Sequence, residues 1–169
     1  MKSLNLLKTL IDLFLLFAVL GALALIIAVP LKIFTGRDIP ISVKGIEVSG
    51  SDGSSIALIA LSGIGAFFFV YAIFLLRKVL QAFLRNQIFE DDVIRNFKLI
   101  GKFIIAYALL TSVPMLIYRM VQENHFEVGF TGGGFDSLLL SVSLGLLFIV
   151  IGEIFQKAKN LKEENELTV

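Results

Sequence analysis

His125 is the chain's single histidine, and Glu123 and Glu127 flank it two residues away on either side. An imidazole beside two carboxylates has the chemistry of a divalent-metal ligand set, or of a pH sensor. A lone histidine in an exposed loop more often does neither, and no metal is expected. Thr131-Gly132-Gly133-Gly134 resembles a phosphate-cradling loop only in its glycines. It lacks the lysine and the strand–loop–helix spacing that a nucleotide site needs, so it reads as a flexible linker. There is no cysteine. That removes disulfides, thiol nucleophiles and thiolate metal sites together. No Ser/His/Asp arrangement and no acidic pair on a buried face is evident. The expectation is a protein with no catalytic residues and no cofactor, and not an enzyme.

Charges elsewhere sit at the margins of apolar stretches. Asp12 begins one such stretch, Glu153 ends another, and Arg77 and Lys78 end a third. A Glu153–Arg77 or Asp12–Lys78 pair is expected at headgroup depth. A proton or ion path needs charges near mid-membrane. None is there, which argues against a pump.

The stretch Arg85–Lys102, RNQIFEDDVIRNFKLIGK, is the densest in charge. Asn86-Gln87 breaks one helix, and Phe89-Glu90-Asp91-Asp92 starts the next, with acids in the positive first turn. With Glu90 as cap, Phe89 and Ile94 take the two positions of a hydrophobic staple. Asp91 lies four residues before Arg95, a favourable helical pair. Arg95, Lys98 and Lys102 then share one face of an amphipathic surface helix.

These residues must be positioned by membrane helices. Of 169 residues, 57% are hydrophobic, and mean hydropathy is +0.90. That is too apolar for an ordinary soluble domain. Net charge is +1, so nothing draws the chain to nucleic acid directly. Uncharged runs cover 13–31, 56–76, 103–118 and 137–152. About 20 residues of helix cross a bilayer core. The last two runs reach that length when Lys102, Arg119 and Lys157 snorkel. The expected spans are 11–34, 56–80, 99–121 and 136–156. Two outer loops (35–55 and 122–135), a connector (81–98) and a tail (157–169) complete a single domain. The first run is too long for a signal-peptide core and lacks a clear small-x-small cleavage site, so it reads as a retained span.

Lysine and arginine set the orientation. Lys2, Lys8, Arg77, Lys78, Arg85, Arg95, Lys98, Lys102, Lys157, Lys159 and Lys162 fall on one side; Lys32, Arg37, Lys44 and Arg119 fall on the other. Eleven against four of the fifteen basic residues places both termini in the cytoplasm of a bacterial inner membrane.

Small residues recur every fourth position: Ala18 and Ala22, Ala24 and Ala28, Ser62 and Ala66, then Ser137, Ser141 and Gly145. Such spacing lets helices approach closely and predicts a compact four-helix bundle. Pro114 should kink the third span, with Thr111 or Ser112 satisfying the freed carbonyl. In the outer loops, residues 39–43, 46–48 and 126–130 alternate in hydrophobicity, with Lys44-Gly45 as a turn. One small extracytoplasmic sheet from both loops is expected. The fold class is thus an all-α integral membrane protein, four transmembrane helices in a bundle, capped by that β-sheet.

The connector NQIFEDDVIRNFKLIG (residues 86–101) and the ending GEIFQKAKNLKEENELTV (152–169) resemble the bacterial membrane family known as domain of unknown function 2975. The family's opening phenylalanine, basic residue and Ile-Gly pair correspond to Phe89, Arg95, Ile100 and Gly101. Its Glu-x-x-Leu-Thr-Val/Ile ending corresponds to Glu164, Leu167, Thr168 and Val169. Glu90 departs from the small polar cap usual there. The four-span layout matches throughout. The resemblance implies no established activity, but it does imply partnership with small helix-turn-helix regulators. The expected function is therefore regulatory or binding. The lipid bilayer and a small cytoplasmic DNA-binding regulator are its partners, and a homo-oligomer is compatible. Arg95, Lys98, Lys102, Glu163 and Glu164 are the docking candidates, while Phe89, Glu90, Pro114, Glu153 and Arg77 have structural or hinge roles. The alternative is a transporter-like or immunity-type protein handling a small amphiphile, with a cavity lined by Ser62, Thr111, Ser112 and Ser141.

Overall fold

The structure, a computed structural model, describes residues 2–35, 41–43, 46–48, 53–122 and 135–167. Four helices dominate: α1 (Lys2–Thr35), α2 (Gly53–Leu84), α3 (Asp91–Gln122) and α4 (Phe135–Leu167). All four are long and apolar enough to cross a membrane. Each outruns its uncharged stretch. At ~1.5 Å per residue, helices of 32 to 34 residues reach about 50 Å against a hydrocarbon core of ~30 Å. The surplus is visible at α4, where the segment expected as a tail continues as helix to Leu167.

Neighbouring helices run antiparallel. Asp12 meets Arg77 across α1 and α2, Phe83 meets Phe97 across α2 and α3, and Asp91 meets Lys159 across α3 and α4. The helices stand in a row rather than closing into a bundle: α3 packs extensively on α4 and on α2, and α1 packs more lightly on α2. No extensive contact joins α1 to α4 among the described residues. The expected closed bundle is corrected on this point. The physical reason lies in α1 and α4. Only 6% and 11% of their most apolar windows are buried, against 39% for α2 and for α3. A helix apolar all round, such as α1, is satisfied by lipid and need not find a protein partner on every side. Phe14, Phe17, Leu20 and Ile27 on α1, and Leu140, Leu147 and Ile154 on α4, are exposed accordingly.

The expected sheet from both loops is also corrected. The sheet that is present is a two-stranded hairpin of β1 (Ile41–Val43) and β2 (Ile46–Val48), both from the first loop, in the register Val43↔Ile46. No strand of the second loop joins it among the described residues, and residues 126–130, expected to supply one, lie outside them. Val48 is fully buried and packs with Leu58, Ile59 and Met115, so the hairpin is held by the helices rather than by a third strand. This answers the instability of an isolated hairpin in water. Among the described residues the fold is four helices with this one appendage.

Two glycines set the closest helix approach. A Cβ on Gly101 would lie 2.8 Å or less from the facing backbone and side chain of Gly145 and Ile149, and a Cβ on Gly145 would meet Ile105 and the Gly101 carbonyl. Glycine at both positions lets α3 and α4 touch backbone to backbone. Pro114 leaves α3 continuous from Asp91 to Gln122. The Thr111 hydroxyl donates to the Tyr107 carbonyl at 2.9 Å.

Candidate functional site

The connector end of the molecule is assembled from three helices. α2 stops in a tight cap: Asn86 takes φ 59°, its N–H donates to the Phe83 carbonyl, and the Gln87 N–H donates to the Ala82 carbonyl at 2.9 Å. This is the paired-bond ending in which a left-handed residue turns the chain off the helix, and asparagine tolerates that conformation better than most non-glycine residues. Four residues later α3 begins. The Glu90 carbonyl accepts from Val93 and Ile94, which makes Glu90 the cap, and Asp91 and Asp92 fill the positive first turn.

An aromatic cluster locks the three helices together below this turn. Phe97 of α3 stacks on Phe155 of α4 with centroids 5.4 Å apart, and Phe83 of α2 reaches both rings. Phe148 extends the stack. Phe89, expected to staple onto Ile94, instead places its ring 6.3 Å from Phe155, with the Lys162 ammonium 5.8 Å from its own centroid. Phe89 thereby ties the connector to α4.

Ion pairs complete the junction. Lys159 donates to Asp91 at 2.7 Å and lies 3.5 Å from Glu163. Lys159 stands beyond the apolar run of α4, and its hydrogen bond to Asp91 holds its ammonium above the ordinary lysine range. The expected Asp91–Arg95 pair is replaced: Arg95 bonds Asp92 at 2.8 Å, one position nearer. Asp91 faces α4 instead. Neither expected pair at the apolar margin forms. Arg77 bonds Asp12 at 2.5 Å, and Glu153 is exposed with no ionic partner among the described residues.

The basic residues expected on one face have divided roles. Arg95 and Lys102 are exposed. Lys98 is half-buried, and its stem lies where a Cβ on Gly152 would be, only 2.9 Å away. Lys98 is therefore partly a packing residue between α3 and α4. Glu163 and Glu164 are exposed on the α4 extension. Phe155 and Lys159 were missed as junction residues. The seven-residue spacing of Phe148 to Phe155, in step with Gly145 to Gly152, is the signal that marks that face of α4.

Thr111 and Ser112 are buried in α3, and the buried Ser62 hydroxyl has no hydrogen-bond partner among the described residues. A cleft of about 260 Å³ does open beside Pro114, but it is lined by Leu58, Leu61, Ile117 and Tyr118 with their neighbours and by none of the four residues expected to line an amphiphile cavity. Among the described residues no group of three or more His, Asp or Glu side chains has metal-holding geometry. His125 and the triple glycine lie outside them.

Four long apolar helices, one hairpin and a charged junction at one end define a small multi-span membrane protein. The family model described as protein of unknown function, DUF2975, matches residues 12–169, and the chain belongs to that family. No curated protein and no solved structure matches it.

Proposed function

We propose that the chain is a non-catalytic protein of the bacterial cytoplasmic membrane that holds a soluble protein partner at its connector end. The excess of lysine and arginine at that end supports a cytoplasmic orientation for it. One observation carries the reading: α4 runs on as helix past its apolar stretch and is fastened to the start of α3 through Lys159 and Asp91. Charges needed only for orientation require no such fastening. The result is a platform with Arg95 and Lys102 on one helix and Glu163 and Glu164 on the other, both signs exposed side by side. Such a mixed surface suits a small protein of complementary charge pattern, and the family resemblance points to a DNA-binding regulator held away from or released to its DNA. The test is co-purification from native membranes, with the reversal Arg95→Glu/Lys102→Glu beside the wild type. A partner retained by the wild type and shed by the variant at moderate salt supports docking. Equal recovery, or none with either, refutes it.

The cleft beside Pro114 supports the rival reading, a protein that handles a small amphiphile. It predicts that Leu61→Trp abolishes binding of a single-chain amphiphile in detergent without altering the partner.

A further inference from the structure

At the turn between α2 and α3 a polar cleft of about 180 Å³ opens on the surface. Lys78, Gln81 and Arg85 line it from the α2 side, and Gln87, Glu90, Asp92 and Asn96 from the turn and α3, with Asp92 already bonded to Arg95. Its size suits a group of a handful of heavy atoms rather than a drug-sized ligand. Several ions nearby are paired: Arg77 with Asp12, Arg95 with Asp92, Lys159 with Asp91. Lys78, Arg85 and Glu90 have no ionic partner among the described residues, yet all three converge on this cleft.

Depth identifies the ligand. The uncharged run of α2 ends at Leu76, so Lys78 stands at the edge of the hydrocarbon. Its ammonium turns back over the Phe74 ring at 4.8 Å, toward the apolar side. A cation there gains modestly from the ring and lacks the anion that would satisfy it. Arg85 lies seven residues further along α2, ~10 Å at 1.5 Å per residue. Seven residues return to the same helix face, so the two long side chains can reach one phosphate from its two sides. Glu90 supplies a carboxylate in the same cleft.

We infer that this cleft binds the headgroup of a phospholipid whose phosphate is joined to a primary ammonium, with Lys78 and Arg85 on the phosphate and Glu90 on the ammonium. Gln81, Gln87 and Asn96 supply neutral donors and acceptors around the ester oxygens. A purely anionic headgroup satisfies the cations and leaves Glu90 facing like charge. A trimethylated headgroup presents no N–H to the carboxylate. The ethanolamine class satisfies all three charges. This assignment is independent of the docking platform, which uses other residues.

The test is lipid retention by the full chain, purified from vesicles holding equal parts phosphatidylethanolamine, phosphatidylglycerol and phosphatidylcholine and weighed with its bound lipid by native mass spectrometry. Wild type is expected to retain phosphatidylethanolamine preferentially. Arg85→Gln and Lys78→Gln should each lower retention about tenfold, the loss of one charge-assisted contact. Glu90→Gln should erase the preference over phosphatidylglycerol while keeping phosphate binding. Lys2→Gln, on α1 and outside both the cleft and the platform, should change nothing. Soluble glycerophosphoethanolamine as competitor separates the sources: displacement only at millimolar levels keeps the lipid as ligand, and displacement at micromolar levels overturns it in favour of the free headgroup. Retention without lipid preference, or equal retention by all three cleft variants, overturns the site. Thermal unfolding of each variant identifies any that are misfolded, and Lys78→Gln, on the surface of a long helix, is the one least exposed to that failure.

Discussion

The Lys159 ammonium of α4 donates to the Asp91 carboxylate at the first turn of α3, 2.7 Å away and 68 residues distant in sequence. Lys159 is mostly covered, with 21% of its side chain exposed, while Asp91 is 78% exposed. With its carboxylate open to solvent, the pair contributes little to global stability. Its consequence is local: it pins the α4 extension at one point past the membrane segment.

Lys159→Gln should therefore leave the thermal midpoint of the protein within a few degrees of wild type while raising amide exchange across residues 157–166 several-fold. Asp92→Asn, which removes the Arg95 pair and leaves Lys159 untouched, should leave that exchange unchanged. The same fastening has a pH signature. Because the folded-state lysine pKa lies above its ordinary value of 10.5, the contribution is full below that value and is lost as pH rises through the raised one. Exchange in this segment, corrected for its intrinsic rate, should rise over that alkaline window; a flat profile contradicts the assignment.

Glycine substitutions discriminate the packed helix face from an open one. Gly101→Ala puts a Cβ 2.3 Å from the Gly145 carbonyl, so α3 and α4 must separate; a loss of about 1–3 kcal/mol is expected, in line with overpacking of a close interface. Gly63→Ala meets nothing within 4 Å and should be neutral or slightly stabilising through helix propensity. Unfolding in detergent by denaturant titration reads both. Equal effects would show that α3 and α4 do not meet at Gly101.

The long apolar runs made the four helices legible in the sequence, since nothing but a membrane or a large core accommodates them. Glu90 as the start of α3 and the turn at Asn86 were legible for the same reason: their signals are local. The pairings were not. Asp91 was assigned to Arg95 on helical spacing, and the spacing is sound, but spacing alone cannot register that α4 brings Lys159 alongside. Asp12 and Arg77 were each placed correctly at the apolar margin and given the wrong partners, because rotation of α1 about its axis is set by tertiary packing. The sheet is legible only where its signal is local: the described strands pair across the Lys44-Gly45 turn, while their anchoring through Val48 on the helices is a tertiary contact that alternation does not report. Closure into a bundle was inferred from small-residue spacing, which reports that helices approach and not how many do so.

Asp12 and Arg77 fasten the most lightly held helix, since among the described residues α1 packs to any extent on α2 alone. Asp12→Asn and Arg77→Gln should each loosen α1, and the double variant should cost less than the two together, with a coupling of about 1 kcal/mol. Engineered-cysteine cross-linking efficiency between positions 15 and 73 follows α1 seating directly. Strictly additive effects would show that the pair contributes nothing to it.

The claim that the connector and the α4 extension form a docking platform is tested most directly by site-specific photo-crosslinking in native membranes. A photoreactive residue at position 95, 102 or 164 should yield one shared adduct with a soluble protein, and the same residue at Val150, on the exposed apolar face of α4, should yield lipid adducts alone. Adducts with lipid only at all four positions, or with unrelated proteins that differ from one platform position to the next, would contradict the account.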